Sequence, residues 1–194
     1  MKFLSYRHNK ADIPALLDCG QDVCATPLLE DEPLMYTVPD TAIHINKRPF
    51  FIPDYAQPCL MQLRWAVRIS RLGRCISPRF ASRYYDAITV CAHCATPALP
   101  AAQGLCFDDC ITIGEWLPVA ATDIADAANG MAGAATDIAD AAIEAIAEVS
   151  RYYTLRQGDI LLLDGIAAPT EVHIDQHIEH TLNATTTLLS FNIK

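Results

Sequence analysis

From Leu60 to Ile69 the chain alternates without a break: Met61, Leu63, Trp65, Val67 and Ile69 fall on one side, Gln62, Arg64, Ala66 and Arg68 on the other. A period of two predicts a strand, and the polar second set predicts that only one of its faces is buried. Arg71-Leu72-Gly73-Arg74 then reads as a turn. Ser77-Pro78 predicts a helix start, with Ser77 as N-cap and proline in the first position, running through Phe80, Ala81, Tyr84 and Tyr85. Ala87 to Ala92 is apolar and β-branched and predicts a second strand, and Pro97 to Gly104 predicts a loop. Upstream, Tyr36 to Pro53 reads as short extended pieces punctuated by Pro39, Pro49 and Pro53. Downstream, Ile138, Ala142, Ile146 and Val149 recur at helical spacing, which predicts a helix from about Asp137 to Tyr152. Leu155 to Lys194 carries Gly158-Asp159, an ILLL run and two further extended pieces. The sum is an α+β, β-dominated chain with two or three helices.

The segment AATDIADAA occurs twice, at Ala120–Ala128 and Ala134–Ala142, with the turn signal Asn129-Gly130 between the copies. Two copies are too few for a solenoid. The 194 residues predict a single domain, 1–194, and 52% apolar with 19% charged residues is a folded composition. The start MKFLSYRHNK lacks the apolar core of a signal peptide, and no run reaches the roughly 18 apolar residues of a membrane span. A cytoplasmic protein with no membrane partner is expected, its eight cysteines reduced and largely buried. Net charge is −9, unevenly placed: Ala56–Tyr85 holds six arginines and no acid, whereas Tyr84–Ser150 holds ten acids and no lysine or arginine. Such halves attract one another within a fold or across a subunit interface. The acidic total, and the lack of stacking aromatics among the arginines, predict no nucleic-acid partner.

Five pieces, in order, resemble the fumarylacetoacetate hydrolase family in its short, single-domain bacterial form. They are PDTAIHINKRPFFIPDYA, RISRLGRCIS (Arg68–Ser77), FDDCITIGEWLP (Phe107–Pro118), YYTLRQGDILL (Tyr152–Leu162) and the terminal LLSFNIK. The resemblance covers nearly the whole chain. It implies a mixed β-sandwich or roll with flanking helices, and a homodimer. It also implies metal-dependent hydrolysis, decarboxylation or isomerisation of acylpyruvate-like or oxaloacetate-like 2-keto acids through a metal-held enolate. Members of the family hold Mg²⁺ or Ca²⁺ with two glutamates spaced Glu-x-Glu and a later aspartate. Alternate strand residues point to one face, so both carboxylates meet one hard cation.

In this chain the matching positions are Gln62, Arg64 and His93. A guanidinium stays charged and repels a divalent ion, and Mg²⁺ strongly prefers oxygen ligands. The family's lysine before "FDG" falls at Leu105, its aspartate is kept as Asp108, and its "TGTP" falls on Leu163-Asp164-Gly165-Ile166. Near the N-terminus Asn9 matches, but the family's histidine falls at Ile13. The resulting expectation is a pseudoenzyme with no cofactor. Its fold would be kept for small-anion binding or for assembly, with itself or with an active paralogue. The competing reading is a divergent enzyme of the family's chemistry.

Two roles for Arg64 follow. With Arg68, near Asn9 and His93, it would grip a small carboxylate or phosphate ligand in bidentate fashion; alternatively it pairs with Asp108 as a structural salt bridge. Cys91-x-x-Cys94 and Cys106-x-x-x-Cys110, with His93 between, resemble zinc-ligand spacing. Strand alternation turns neighbouring thiols to opposite faces, which favours core thiols and also separates His93 from Cys91 or Cys94 as a nucleophile pair. His173, His177 and His180 would gather a metal only on a helix; the resemblance puts them on a turn and a strand, at the surface.

Overall fold

The computed structural model describes residues 2–7, 34–119, 135–182 and 186–194. Its strands are β1 (Phe3–Arg7), β2 (Leu34–Val38), β3 (Ile43–Ile45), β4 (Leu60–Ile69), β5 (Tyr85–Ala95), β6 (Ile111–Ile113), β7 (Leu117–Pro118), β8 (Ile160–Gly165), β9 (Thr170–Glu171), β10 (His177–Leu182) and β11 (Thr186–Asn192). Its helices are α1 (Pro78–Ala81), α2 (Ala101–Leu105) and α3 (Ala135–Tyr152). One sheet runs β2-β1-β8-β4-β5-β6-β3, with β7 added to β5 and β9 to β4; β10 and β11 form a separate antiparallel hairpin. This is the β-dominated α+β fold that the patterning predicts. Among the described residues no helix is long and apolar enough to cross a membrane.

The sheet is buried on both faces. On one, Leu4, Tyr6, Trp65, Val67, Val90, Leu161 and Leu163 meet the α3 stripe of Ile138, Ala142, Ile146 and Val149. Burying Ile138, Ile146 and Val149 stabilises this layer by roughly 1.5–3 kcal/mol per side chain. On the other face Phe3, Ala66, Cys91 and Leu162 meet Phe50, Leu189, Phe191 and Ile193. Hence the expectation of a single buried face for β4 is corrected: Gln62, Arg64 and Ala66 are all 0% exposed. Polar alternation reports a solvated face only where nothing covers it, and here hairpin β10–β11 and the chain around Phe50 cover it.

Two further expectations change. The helix begun by Ser77-Pro78 is only the four-residue α1, because Ser70 N–H donates to Tyr84 O at 2.8 Å and returns the chain to the sheet at Tyr85. The second half of the predicted loop Pro97–Gly104 is instead part of α2, in which Gly104 N–H donates to Pro100 O at 2.8 Å. The predicted α3 is present. Asn9, Ile13, Cys19, Cys24, the first AATDIADAA copy and the turn after it lie outside the described residues.

Gly114 sits where β5, β6 and β11 converge: a Cβ there would lie 2.6 Å from both Leu188 O and Val90 O. Both neighbours are backbone, so neither yields. Gly114→Ala should therefore destabilise the fold by about 1–3 kcal/mol, the usual range for overpacking, read as a lowered midpoint in urea unfolding at unchanged m-value.

Candidate functional site

The antiparallel register of β4 and β5 places Gln62 opposite His93 and Arg64 opposite Cys91. Strand β1, two strands away beyond β8, brings Arg7 to the same face. Arg7, Gln62, Arg64 and His93 are each no more than 1% exposed. Arg7 Nη1 donates to Gln62 Oε1 at 2.7 Å, and its Nη2 lies 3.2 Å from His93 Nδ1. Arg64 Nη1 approaches the same Nδ1 at 3.3 Å.

These contacts decide the state of the imidazole. A guanidinium has donors only, so Nδ1 must accept from both arginines. On the far side His93 Nε2 lies 2.7 Å from Leu105 O, which only accepts, so the ring proton is on Nε2. Burial, and then the charges of Arg64 and Arg7, hold the His93 pKa well below the usual histidine range; the Leu105 carbonyl opposes them weakly. Burial and then the Arg7 charge lower Arg64 to about 10, which still leaves it protonated at neutral pH.

Arg64 also works as a staple. Its Nε donates to Leu163 O at 2.7 Å, and its Nη2 to Tyr6 O at 3.1 Å and Leu162 O at 3.3 Å, tying β4 to β1 and β8. Arg7 is less satisfied: its Nε is buried without a hydrogen-bond partner. Among the described residues, no carboxylate lies within ion-pair distance of either guanidinium. Gln62 Nε2 donates to Ala167 O at 3.0 Å, and the amide occupies the space in which Gly165 would carry a Cβ.

Of the residues singled out from sequence, Gln62, Arg64 and His93 come together. Asp108 does not join them: it is exposed, on the wall of a separate open cavity of about 490 Å³ shared with His44 and Tyr55. The Arg64–Asp108 salt bridge is thus replaced by bonds to backbone carbonyls. Arg68 also lies apart, bonded to Asp86 at 2.8 Å and stacked 5.5 Å over Trp116. Cys91, Cys94 and Cys110 are buried, and burial pushes the Cys91 and Cys106 thiols up to about 11. Among the described residues no group of three or more His, Cys, Asp or Glu is placed to hold a metal ion. His177 and His180 lie on β10, and His173 and His177 are exposed. Arg7 is the site residue that the sequence reading missed. Its signal was there in FLSYR, where Ser5 and Arg7 alternate with Leu4 and Tyr6.

No family model matches the chain, and no curated protein matches it. Solved structures do. Fumarylpyruvate hydrolase from Pseudomonas aeruginosa, in complex with Mn²⁺ and pyruvate, aligns over 100% of this chain and 89% of its own, with a TM-score of 0.74 at 16% identity. A protein from Yersinia pestis CO92 described as of the fumarylacetoacetate hydrolase family aligns over 100% and 92%, at 0.73 and 21%. The 2-hydroxyhepta-2,4-diene-1,7-dioate isomerase from Mycobacterium marinum aligns over 99% and 73%, at 0.69 and 19%. The chain therefore has the fumarylacetoacetate hydrolase-like fold.

The Mn²⁺-bound neighbour corrects the expectation of no cofactor: this fold is one that carries a metal. The residues at the Gln62–Arg64–His93 position, however, do not fit a divalent cation. One amide, one imidazole whose two nitrogens are engaged, and two guanidiniums offer no anionic oxygen.

A histidine held neutral in the folded state, but protonated below about pH 6.5 when unfolded, makes stability fall as pH drops below that value. His93→Gln should flatten the part of the pH 5–7 stability slope due to this ring. In the parent protein, imidazole NMR should show a neutral ring protonated at Nε2 across that interval. A ring that titrates near 6.5 would contradict the two-arginine geometry.

Proposed function

We propose that this chain is a small-anion-binding protein on the fumarylacetoacetate hydrolase-like fold, with Arg7 and Arg64 supplying positive charge where the family resemblance places a cation. The observation that carries this reading is the pair of fully buried guanidiniums meeting at one neutral imidazole, with no carboxylate beside them among the described residues. An uncompensated buried charge costs several kcal/mol, and a second like charge in contact adds to it. A bound carboxylate offsets both and accepts hydrogen bonds from donors that are otherwise idle.

The same geometry argues against turnover. Proton transfer needs a group with a nitrogen or oxygen free to exchange a proton with substrate. His93 Nδ1 is engaged by two arginines and Nε2 by Leu105 O. Arg64 spends its Nε and Nη2 on three carbonyls. Arg7 can bind and orient an anion, and the surrounding apolar layer can exclude water, but neither supplies an acid or a base.

Calorimetric titration with pyruvate and with oxalate should give saturable binding at one site per chain, and Arg7→Met should weaken it at least tenfold, since a charged hydrogen bond is worth about 1.5–3 kcal/mol. Absence of binding would sink the reading. Saturable Mn²⁺- or Mg²⁺-dependent turnover of an acylpyruvate or oxaloacetate would favour the divergent-enzyme alternative.

A further inference from the structure

Three buried polar atoms on the described chain have no hydrogen-bond partner and share one neighbourhood: Ser5 Oγ, Arg7 Nε and Tyr36 Oη. Ser5 and Tyr36 are directly opposed in the β1–β2 ladder, and Arg7 lies two residues along from Ser5. Alternation along a strand puts all three side chains on one face. Opposed side chains stand about 4.5–5.5 Å apart at Cβ, within reach of a single small ligand. That face is the second core layer, which also receives Arg64, Gln62 and His93 through β8, β4 and β5. The Tyr36 phenol lies beside the Arg64 guanidinium and favours its charged form.

Resting on the anion-binding reading, we infer that Ser5, Arg7 and Tyr36 form the seat of the anion, and that its ligand is a compact dianion with more than two acceptor oxygens. The charge follows from two cations, a neutral imidazole and, among the described residues, no carboxylate within ion-pair distance. The oxygen count follows from three unfilled donors set on two strands: a carboxylate's two oxygens, with about four lone-pair sites, accept all three only where the donors converge, whereas further oxygens meet each donor separately. Dicarboxylates such as oxalate and tetrahedral oxyanions such as sulfate share this chemistry, and the planar and tetrahedral members tell the two sources apart. Because Ser5 and Arg7 are 1% exposed, the bound anion is shielded from bulk ions.

The test is calorimetric titration of the full chain at pH 7 with oxalate, sulfate and acetate, at low and at physiological salt, for the parent protein and for Ser5→Ala, Tyr36→Phe and Arg7→Met. At least one dianion should bind tenfold or more tightly than acetate, with affinity changing little between the two salt conditions. Whichever of oxalate and sulfate binds tighter names the source. Ser5→Ala and Tyr36→Phe should each weaken the dianion about tenfold, while leaving the ligand-free thermal midpoint unchanged or raised, since each removes an orphaned hydroxyl. A merely structural hydroxyl would lower that midpoint and leave affinity alone. If acetate binds as tightly as the dianions, or if both hydroxyl variants bind like the parent, the seat is wrong while anion binding stands. If the parent binds none of the probes, the underlying reading fails with it.

Discussion

Everything around the candidate site depends on one nitrogen. His93 Nδ1 faces two guanidiniums that have nothing but donors, so it is confined to the role of acceptor. That fixes the tautomer, sends the ring proton to Leu105 O, and links β5 to the chain leading into β6. It also lets two cations share a wall in the dry part of the fold. Were the ring protonated, three positive charges would meet there with no counter-charge in reach among the described residues.

The sheet makes this possible by dividing its two faces between different tasks. The α3 face is an aliphatic layer whose energetics come from area removed from water. The opposite face is mixed, with apolar residues surrounding a polar centre whose backbone anchors are the carbonyls of Tyr6, Leu162 and Leu163. Arg64 is therefore part of the architecture as well as of the site. Arg7, with an idle Nε and only Gln62 and His93 as side-chain partners among the described residues, is the freer of the pair.

How far this was legible in sequence differs by residue. The strand Leu60–Ile69 and the helix ending at Tyr152 follow from periodicity, a local property. Gln62, Arg64 and His93 were found because their spacing matches a family pattern, and the β4–β5 register does bring Gln62 and His93 face to face. What local pattern could not reveal was coverage: Arg64 and Arg68 have the same phase on one strand, yet the first is sealed and the second pairs with Asp86 near water. Arg7 was missed for a related reason. Five residues of alternation are a weak signal, and their importance comes from pairing β1 with β8, more than 150 residues away in sequence.

Gly165 and Gln62 have a bearing on how such a site arises by mutation. The Gln62 amide stands in the volume that any side chain at 165 would claim. The two positions are thus a single unit of variation: a lineage that puts a larger residue at 165 must shorten or redirect the one at 62, and with it the acceptor that holds Arg7. Substitutions that are harmless alone would clash in combination, so the order in which they arise is constrained. A glycine at the end of β8 thereby limits which charges the centre of the sheet can evolve to hold.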